Sequence, residues 1–406
     1  MKNILAGRPF LVLWILCAKC LLFAAEPPLP PNYPKALYDE SKVPAFTLPD
    51  PLVMQSGEKV TDASMWMEKR RPELLALFQT EVYGRTMTGR PEKMTWKLTA
   101  ADPNALNGRA ISKKVVLYFD GTEAGPSMQM DITLPKQSRP VPMYMLAEWG
   151  SVLPEILDRG YGIIICKLTQ IQADSPDRCT DSIRAFFAPP GQKEPKPDEW
   201  GAIGAWAWGL SRAMDYVQTD PDMDAEKVCL HGFSRFGKAA IWAGAQDTRF
   251  AITFSGESGC GGAVLVRRGF GETVKAVNSR FPHWFCGNFK KYNDNVNALP
   301  VDWHELIALY APRPVYIAVA AEDYWGDPYG SFLAAKYAEP VYKLFGKTGL
   351  GVDEWPAVNT PVGDYIGFHN RTGGHGQTPY DWQQYLNFSD RHFRINEYQN
   401  KQQTQR

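Results

Sequence analysis

The run Val228-Cys229-Leu230-His231-Gly232-Phe233-Ser234-Arg235-Phe236-Gly237-Lys238 joins an apolar stretch to Gly-x-Ser, and small residues, Ala239 and Ala240, follow. A strand that turns sharply into a helix at a serine is the arrangement of a nucleophile elbow. The turn lifts the hydroxyl above the sheet and sets it at a helix N-terminus, where the dipole favours developing negative charge. The chemistry this suits is acyl transfer through a covalent serine intermediate. The usual pattern has glycine two residues after the serine. Here Phe236 stands there and Gly237 comes one later. Gly-x-Ser also occurs at purely structural junctions, so Ser234 reads as a nucleophile only with partners.

A serine needs a base, and behind an elbow the base follows in chain order, after the last strand. Of six histidines, His231 precedes the serine, and His283 and His304 precede the strand expected at Pro314 to Ala320. His392 lies within the expected closing helix. His369 and His375 remain, in Phe368-His369-Asn370-Arg371-Thr372-Gly373-Gly374-His375-Gly376-Gln377-Thr378. His375, flanked by glycines just before a helix, is the candidate base, and His369 a packed or supporting residue. The base in turn needs a carboxylate to fix its tautomer. Glu257 and Asp323 stand at the ends of two successive strands and both are candidates; the plain alternative for either is a loop carboxylate capping backbone amides.

These residues require a particular scaffold. Thr95 to Leu98, Lys114 to Phe119 and Met128 to Leu134 read as strands joined by turns such as Asp120-Gly121. Val141 to Ala147 and Gly162 to Lys167 are short apolar runs suited to buried parallel strands. Lys227 to His231, Phe250 to Ser255, Pro314 to Ala320 and Asp364 to Phe368 continue the series. Helices are expected at 62–83, where Pro72 breaks or restarts the turn, and at 153–159, 199–217, 238–246, 330–345 and 378–393. Strands alternating with helices imply a mostly parallel central sheet with helices on both faces, an α/β-hydrolase fold. The long polar excursion after Lys167 is of a length that is usually functional.

The chain has 406 residues, enough for one large domain with decorations. Lys+Arg and Asp+Glu are equal at 44 each, which gives no reason to expect nucleic acid or an anionic membrane as partner. The 13 Trp are expected mainly in the core. Lys2 and Arg8, the apolar stretch Phe10 to Phe23 and Ala24-Ala25 read as a signal peptide over 1–25, so a secreted or periplasmic protein is expected, with an uncleaved anchor as the alternative. Residues 26–59 form a Pro-rich arm, 60–396 the catalytic domain and 397–406 a polar tail. The mature chain keeps Cys166, Cys179, Cys229, Cys260 and Cys286; one bridge, Cys260 to Cys286, is conceivable but not deducible. Spacing shows no structural zinc site, and neither metal nor organic cofactor is implied. A monomer is expected.

The run Gly232-Phe233-Ser234-Arg235-Phe236-Gly237-Lys238 resembles the Gly-Cys-Ser-Arg-x-Gly-Lys signature of glucuronoyl esterases, carbohydrate esterase family 15. Glu257-Ser258-Gly259-Cys260-Gly261-Gly262 resembles that family's Glu-Ser-Gly-x-Gly-Gly block. Trp200-Gly201-Ala202-Ile203, Trp206-Ala207-Trp208-Gly209 and Gly373-Gly374-His375-Gly376-Gln377-Thr378 are similar to its bacterial members. The resemblance implies that Ser234 is nucleophile, His375 base, and Glu257 an acid, with Asp323 used instead or as well in some bacterial members. It implies Arg235 as an oxyanion donor, and Lys238, Glu272 and Trp325 as contacts to the hydroxyls of a glucuronate ring. It further implies cleavage of the ester between 4-O-methyl-glucuronate of glucuronoxylan and a lignin alcohol. The fungal cysteine pair beside serine and histidine is replaced here by Phe233 and Gly376. Two other readings stand beside this one: another serine esterase such as an acetylxylan esterase, and a non-catalytic glycan-binding hydrolase fold. Of the two acids, Glu257 is expected to matter more than Asp323.

Overall fold

Segments joined by tight turns pair antiparallel, whereas segments joined through helices can pair parallel, and the sheet divides along that line. A computed structural model describes residues 35–86, 89–137, 140–148, 150, 153–176, 182–192 and 194–394. The expected signal peptide, residues 26–34 of the arm, Cys179 and the 397–406 tail lie outside the described residues. The strands are β1 (Thr95–Ala105), β2 (Ala110–Tyr118), β3 (Ser127–Pro135), β4 (Val141–Ala147), β5 (Gly162–Cys166), β6 (Met223–Phe233), β7 (Ile252–Gly256), β8 (Val315–Ala320) and β9 (Ile366–Arg371). They form one sheet in the order β1-β2-β3-β5-β4-β6-β7-β8-β9. The first three strands and the β3–β5 pairing are antiparallel, and every pairing from β5 through β4 to β9 is parallel.

Alternation along the strands sorts the core into two layers. On β8, Val315, Ile317 and Val319 face one hydrophobic cluster, and Tyr316 and Ala318 face the other. The first cluster is closed by the helices Ala202–Val217, Ser234–Gln246 and Pro328–Leu344, which bury Trp206, Phe236, Trp242 and Phe332. The second is closed by the short helix Pro154–Asp158 and the closing helix Pro379–Phe393, whose Trp382, Tyr385 and Phe388 pack with Tyr144, Phe254 and Tyr316. The tryptophans are mainly core, as expected: Trp66, Trp206, Trp242 and Trp303 are among the largest fully buried side chains. Among the described residues no helix is long and apolar enough to cross a membrane.

The structure extends the sequence reading at several places, with short helices at Ile183–Phe186, Val274–Arg280 and Trp303–Ala308 that the reading left out. β1 runs on to Ala105 through Pro103, because it is an edge strand and Pro103 falls in the register shift of its ladder with β2, between Asp102 and Ala105. At Pro72 the N-terminal helical segment restarts, one of the two outcomes expected, without leaving helical turns. A π turn over Trp66–Arg70, closed by Arg71 N–H on the Trp66 carbonyl, places Pro72 in the first turn of the next stretch, Arg71–Phe78, where its missing N–H costs little. Cys260 and Cys286 are not bridged; both are free and buried, and the Cys286 thiol donates to the Thr80 carbonyl at 3.6 Å. Residues 36–59 belong to the compact unit Ala36–Arg406, with Leu37 bridged to Phe270 and Glu40 paired with the buried Arg268 at 2.7 Å.

At the strand-to-helix corner the backbone approach is close at Gly232, where a Cβ would collide with the carbonyl of Phe236 in the following helix. Gly232→Ala is expected to destabilise the protein by about 3 kcal/mol or more, because backbone must move. Gly376→Ala, at a position with open space around it, should leave stability unchanged. Urea unfolding of both variants beside wild type checks this.

Candidate active site

β6 ends at Phe233, and Ser234 opens the helix Ser234–Gln246 with φ +55°. A non-glycine residue in the left-handed region is strained, and here the strain sets the hydroxyl at the corner between strand and helix. The absent glycine two residues after Ser234 is explained by packing. Phe236 is buried against Trp206, with ring centroids 4.7 Å apart, so that position serves the core. Gly237 supplies the close approach instead, its Cβ position lying 3.0 Å from the Gly256 carbonyl of β7.

The loops after the next three parallel strands converge on this corner. Glu257 follows β7, also with positive φ (+43°), Asp323 follows β8, and His375 sits in the loop after β9. His375 Nε2 lies 3.0 Å from Ser234 Oγ. Its Nδ1 lies 2.8 Å from Asp323 Oδ2 and 3.1 Å from Glu257 Oε2. The imidazole is 46% exposed, while the carboxylate side chains are 7% and 3% exposed. Phe233, beside the serine, packs its ring 4.9 Å from that of His375. Burial works against charge on the imidazole, but the bonds to Asp323 and Glu257 outweigh it and lift its pKa to about 9. Burial also raises the Glu257 pKa, and the His375 bond and the Arg371 charge oppose that rise.

Among the described residues, Glu257, Asp323 and His375 are the group whose ligand atoms, within 4.8 Å of one another, have the spacing of a metal site. Hydrogen bonds within the group already use these atoms, and the imidazole's other nitrogen faces Ser234, so the arrangement is that of an acid–base relay.

The residues assigned by resemblance to sugar binding form a second cluster alongside. Lys238, one turn into the elbow helix, donates Nζ to the Ser258 carbonyl at 2.5 Å and lies 3.5 Å from Glu272 Oε2. The Glu272 N–H donates to the Trp325 carbonyl at 2.8 Å. Arg235 pairs with Asp174 and lies over the rings of Phe281 and Trp284 at 5.4 and 5.2 Å. Thus Ser234, His375, Glu257 and Asp323 meet in one cluster, Lys238, Glu272 and Trp325 in another, and Arg235 turns its guanidinium toward Asp174.

Several functional neighbours escaped the sequence reading. Asp174, in the long polar excursion, accepts from His283 Nε2 at 2.9 Å and Trp284 Nε1 at 2.8 Å as well as from Arg235. Burial opposes its charge, but these donors hold the carboxyl well below the usual range. Its partners lie far along the chain, so nothing local marked it. Arg371 and Asp381 pair at 3.0 Å beneath the His375 loop. The spacing Thr378-x-x-Asp381 was a readable capping box, and it forms. His369 is buried between Asp381 and Tyr316, at 2.9 and 3.0 Å, the supporting place expected of it.

Two predictions follow the geometry of the relay. With Asp323 removed, Glu257 already lies 3.1 Å from Nδ1. Asp323→Ala is therefore expected to lower kcat about tenfold, and Glu257→Ala about 100-fold, because Glu257 also accepts the Gly376 N–H. Wild-type turnover by Glu257→Ala would leave Asp323 as the sole acid. A base with pKa about 9 is protonated at neutral pH, so kcat/KM should rise with pH, reach half its maximum near pH 9 and level off above it. Loss of either carboxylate removes an anion that favours imidazolium, and the midpoint should move down toward the ordinary histidine value of about 6.5. A midpoint unchanged in both variants would contradict the relay.

Comparison with known proteins bears directly on this arrangement. The family model described as fungal glucuronyl esterase matches residues 120–346. A carbohydrate esterase of an unknown prokaryotic organism is 41% identical over 87% of this chain and 91% of its own. A 4-O-methyl-glucuronoyl methylesterase of Wolfiporia cocos is 29% identical over 75% of this chain and 74% of its own. The solved glucuronoyl esterase of Solibacter usitatus superposes with a TM-score of 0.83 at 43% identity, covering 87% of this chain and 99% of that one. An α/β-hydrolase sheet, a serine elbow facing a histidine and these matches lead to one conclusion: the chain belongs to the glucuronyl esterase family, carbohydrate esterase family 15.

Proposed function

We propose that this chain is a serine carboxylic ester hydrolase that cleaves the ester between (4-O-methyl-)glucuronate of glucuronoxylan and a lignin alcohol. The observation that carries this reading is the pairing of the Ser234–His375 hydrogen bond, 3.0 Å long, with the Lys238–Glu272 pair beside it. A simple acyl ester needs only the first. An acyl group that is itself a sugar also needs donors and acceptors for ring hydroxyls, and a buried ammonium beside a carboxylate supplies both.

In the proposed mechanism Ser234 Oγ attacks the ester carbonyl while His375 Nε2 takes its proton. The tetrahedral oxyanion is met by Arg235, through its guanidinium and its N–H in the first turn of the elbow helix. His375 then gives the proton to the departing alcohol, leaving glucuronate esterified to Ser234. Water, deprotonated by the same nitrogen, hydrolyses that ester and frees the uronic acid. The Asp323 and Glu257 carboxylates hold the Nδ1 proton and stabilise the imidazolium formed in both steps. Trp325 packs against the sugar. The fourteen-residue stretch Phe10 to Phe23 behind Lys2 and Arg8 supports export, in keeping with a plant cell-wall substrate outside the cell.

Benzyl glucuronate hydrolysis by wild type beside variants tests the proposal. Ser234→Ala should lose at least about 10,000-fold in kcat. Lys238→Met should weaken kcat/KM for the uronate ester about tenfold or more while leaving release of acetate from a simple aryl acetate nearly unchanged. A wild-type enzyme that releases acetate from xylan but leaves uronate esters intact would favour an acetylxylan esterase.

A further inference from the structure

The loop that carries His375 has little of its own to fix its shape. Gly373, Gly374 and Gly376 surround the histidine, and side chains added at Gly374 or Gly376 would meet open space. Glycines leave the backbone many conformations, yet proton transfer needs Nε2 held at hydrogen-bond distance from Ser234. The restraint must come from hydrogen bonds, and three of the loop's carbonyls lead to one side chain.

Arg371 is the last residue of β9 and is 3% exposed. Its Nη2 donates to Glu257 Oε1 at 2.5 Å, to the Gly374 carbonyl at 3.1 Å and to the Gly376 carbonyl. The carbonyls on both sides of His375 therefore point at the same guanidinium. Nη1 donates to the Thr372 carbonyl at 2.9 Å, and Nε to Asp381 at 3.0 and 3.1 Å. All three nitrogens are engaged, in a fork that a lysine cannot reproduce.

We infer that Arg371 is a positioning residue, whose guanidinium both shapes the His375 loop and keeps Glu257 charged beside the imidazole. The inference rests on the reading of Ser234 and His375 as nucleophile and base. Glu257 is faced by His375 and Arg371 from β9 and its loop, by Asp323 from the loop after β8, and by Tyr385 from the closing helix. Lys238 of the elbow helix sits on the carbonyl of the next residue, Ser258, and Asp381 and His369 complete the buried charge chain behind Arg371. Arg371 is thus the permanently charged partner of Glu257, beside an imidazole that must give up its own charge to act as a base. Without it, the buried carboxyl takes up a proton, and the imidazole loses one of its two anionic partners.

Arg371→Lys and Arg371→Met separate the two roles, with active sites counted by fluorophosphonate labelling so that kcat refers to folded enzyme. Arg371→Lys is expected to lower kcat on benzyl glucuronate at least tenfold, with KM within about twofold and the acid midpoint of kcat/KM near that of wild type. Arg371→Met is expected to lower kcat as far and also to move that midpoint to lower pH. Wild-type kcat in Arg371→Lys, or a wild-type midpoint in Arg371→Met, overturns the inference. The rate of Ser234 labelling should fall in both variants, and it needs no sugar. Slowed labelling in the variants of an enzyme that ignores benzyl glucuronate would overturn the proposed substrate and uphold the role of Arg371.

Discussion

In the proposed mechanism one imidazole must lose its proton to work, while two buried carboxylates favour its keeping it. That tension organises the site. Asp323 and Glu257 both approach Nδ1, which fixes the tautomer and turns Nε2 to Ser234. The same closeness lifts the imidazole pKa to about 9. A strong base is the result, one that accepts the serine proton readily once it is neutral. Two like charges so near each other are tolerable only with compensation, which comes from the imidazolium itself and from Arg371, a guanidinium anchored in turn by Asp381. The closing helix matters for this reason as much as for its hydrophobic face: it carries Asp381 to the back of the site.

Much of this was legible in the sequence where backbone chemistry leaves a local mark. Ser234 was marked by Gly-x-Ser at a strand end, and His375 by its flanking glycines ahead of a capped helix. Glu257 and Asp323 were found because each follows a short apolar strand, and parallel strands deliver their C-terminal ends to one edge. Residues whose significance depends on burial were not legible. Arg371 looks like any polar residue at a strand end until the closing helix covers it. Asp174 gains its role from Arg235, His283 and Trp284, all of them distant along the chain. The extension of β1 through Pro103 was missed because strand propensity does not report whether a strand lies at an edge.

The two faces of the elbow helix divide the labour. Phe236, Trp242 and the small residues around them fix the helix in the core against Trp206 and Tyr83. Arg235 and Lys238 leave the same helix toward different partners, one held by Asp174 over an aromatic pair, the other by Ser258 and Glu272. Phe281 and Trp284 are stacked 3.8 Å apart, which makes a rigid floor beneath the guanidinium. The groups proposed for an oxyanion and for sugar hydroxyls are therefore set by packing before any substrate arrives, the condition under which such donors are most effective.

Ser234 and Glu257 stand at the ends of adjacent strands, and both have left-handed backbone dihedrals, +55° and +43°. Glycine would occupy either corner without strain. The fold therefore tolerates, side by side, two residues less comfortable than the simplest alternative, and each supplies a reacting or anchoring oxygen that glycine lacks. Replacing either with glycine would relieve backbone strain and, in the same stroke, remove an oxygen on which the proposed chemistry depends.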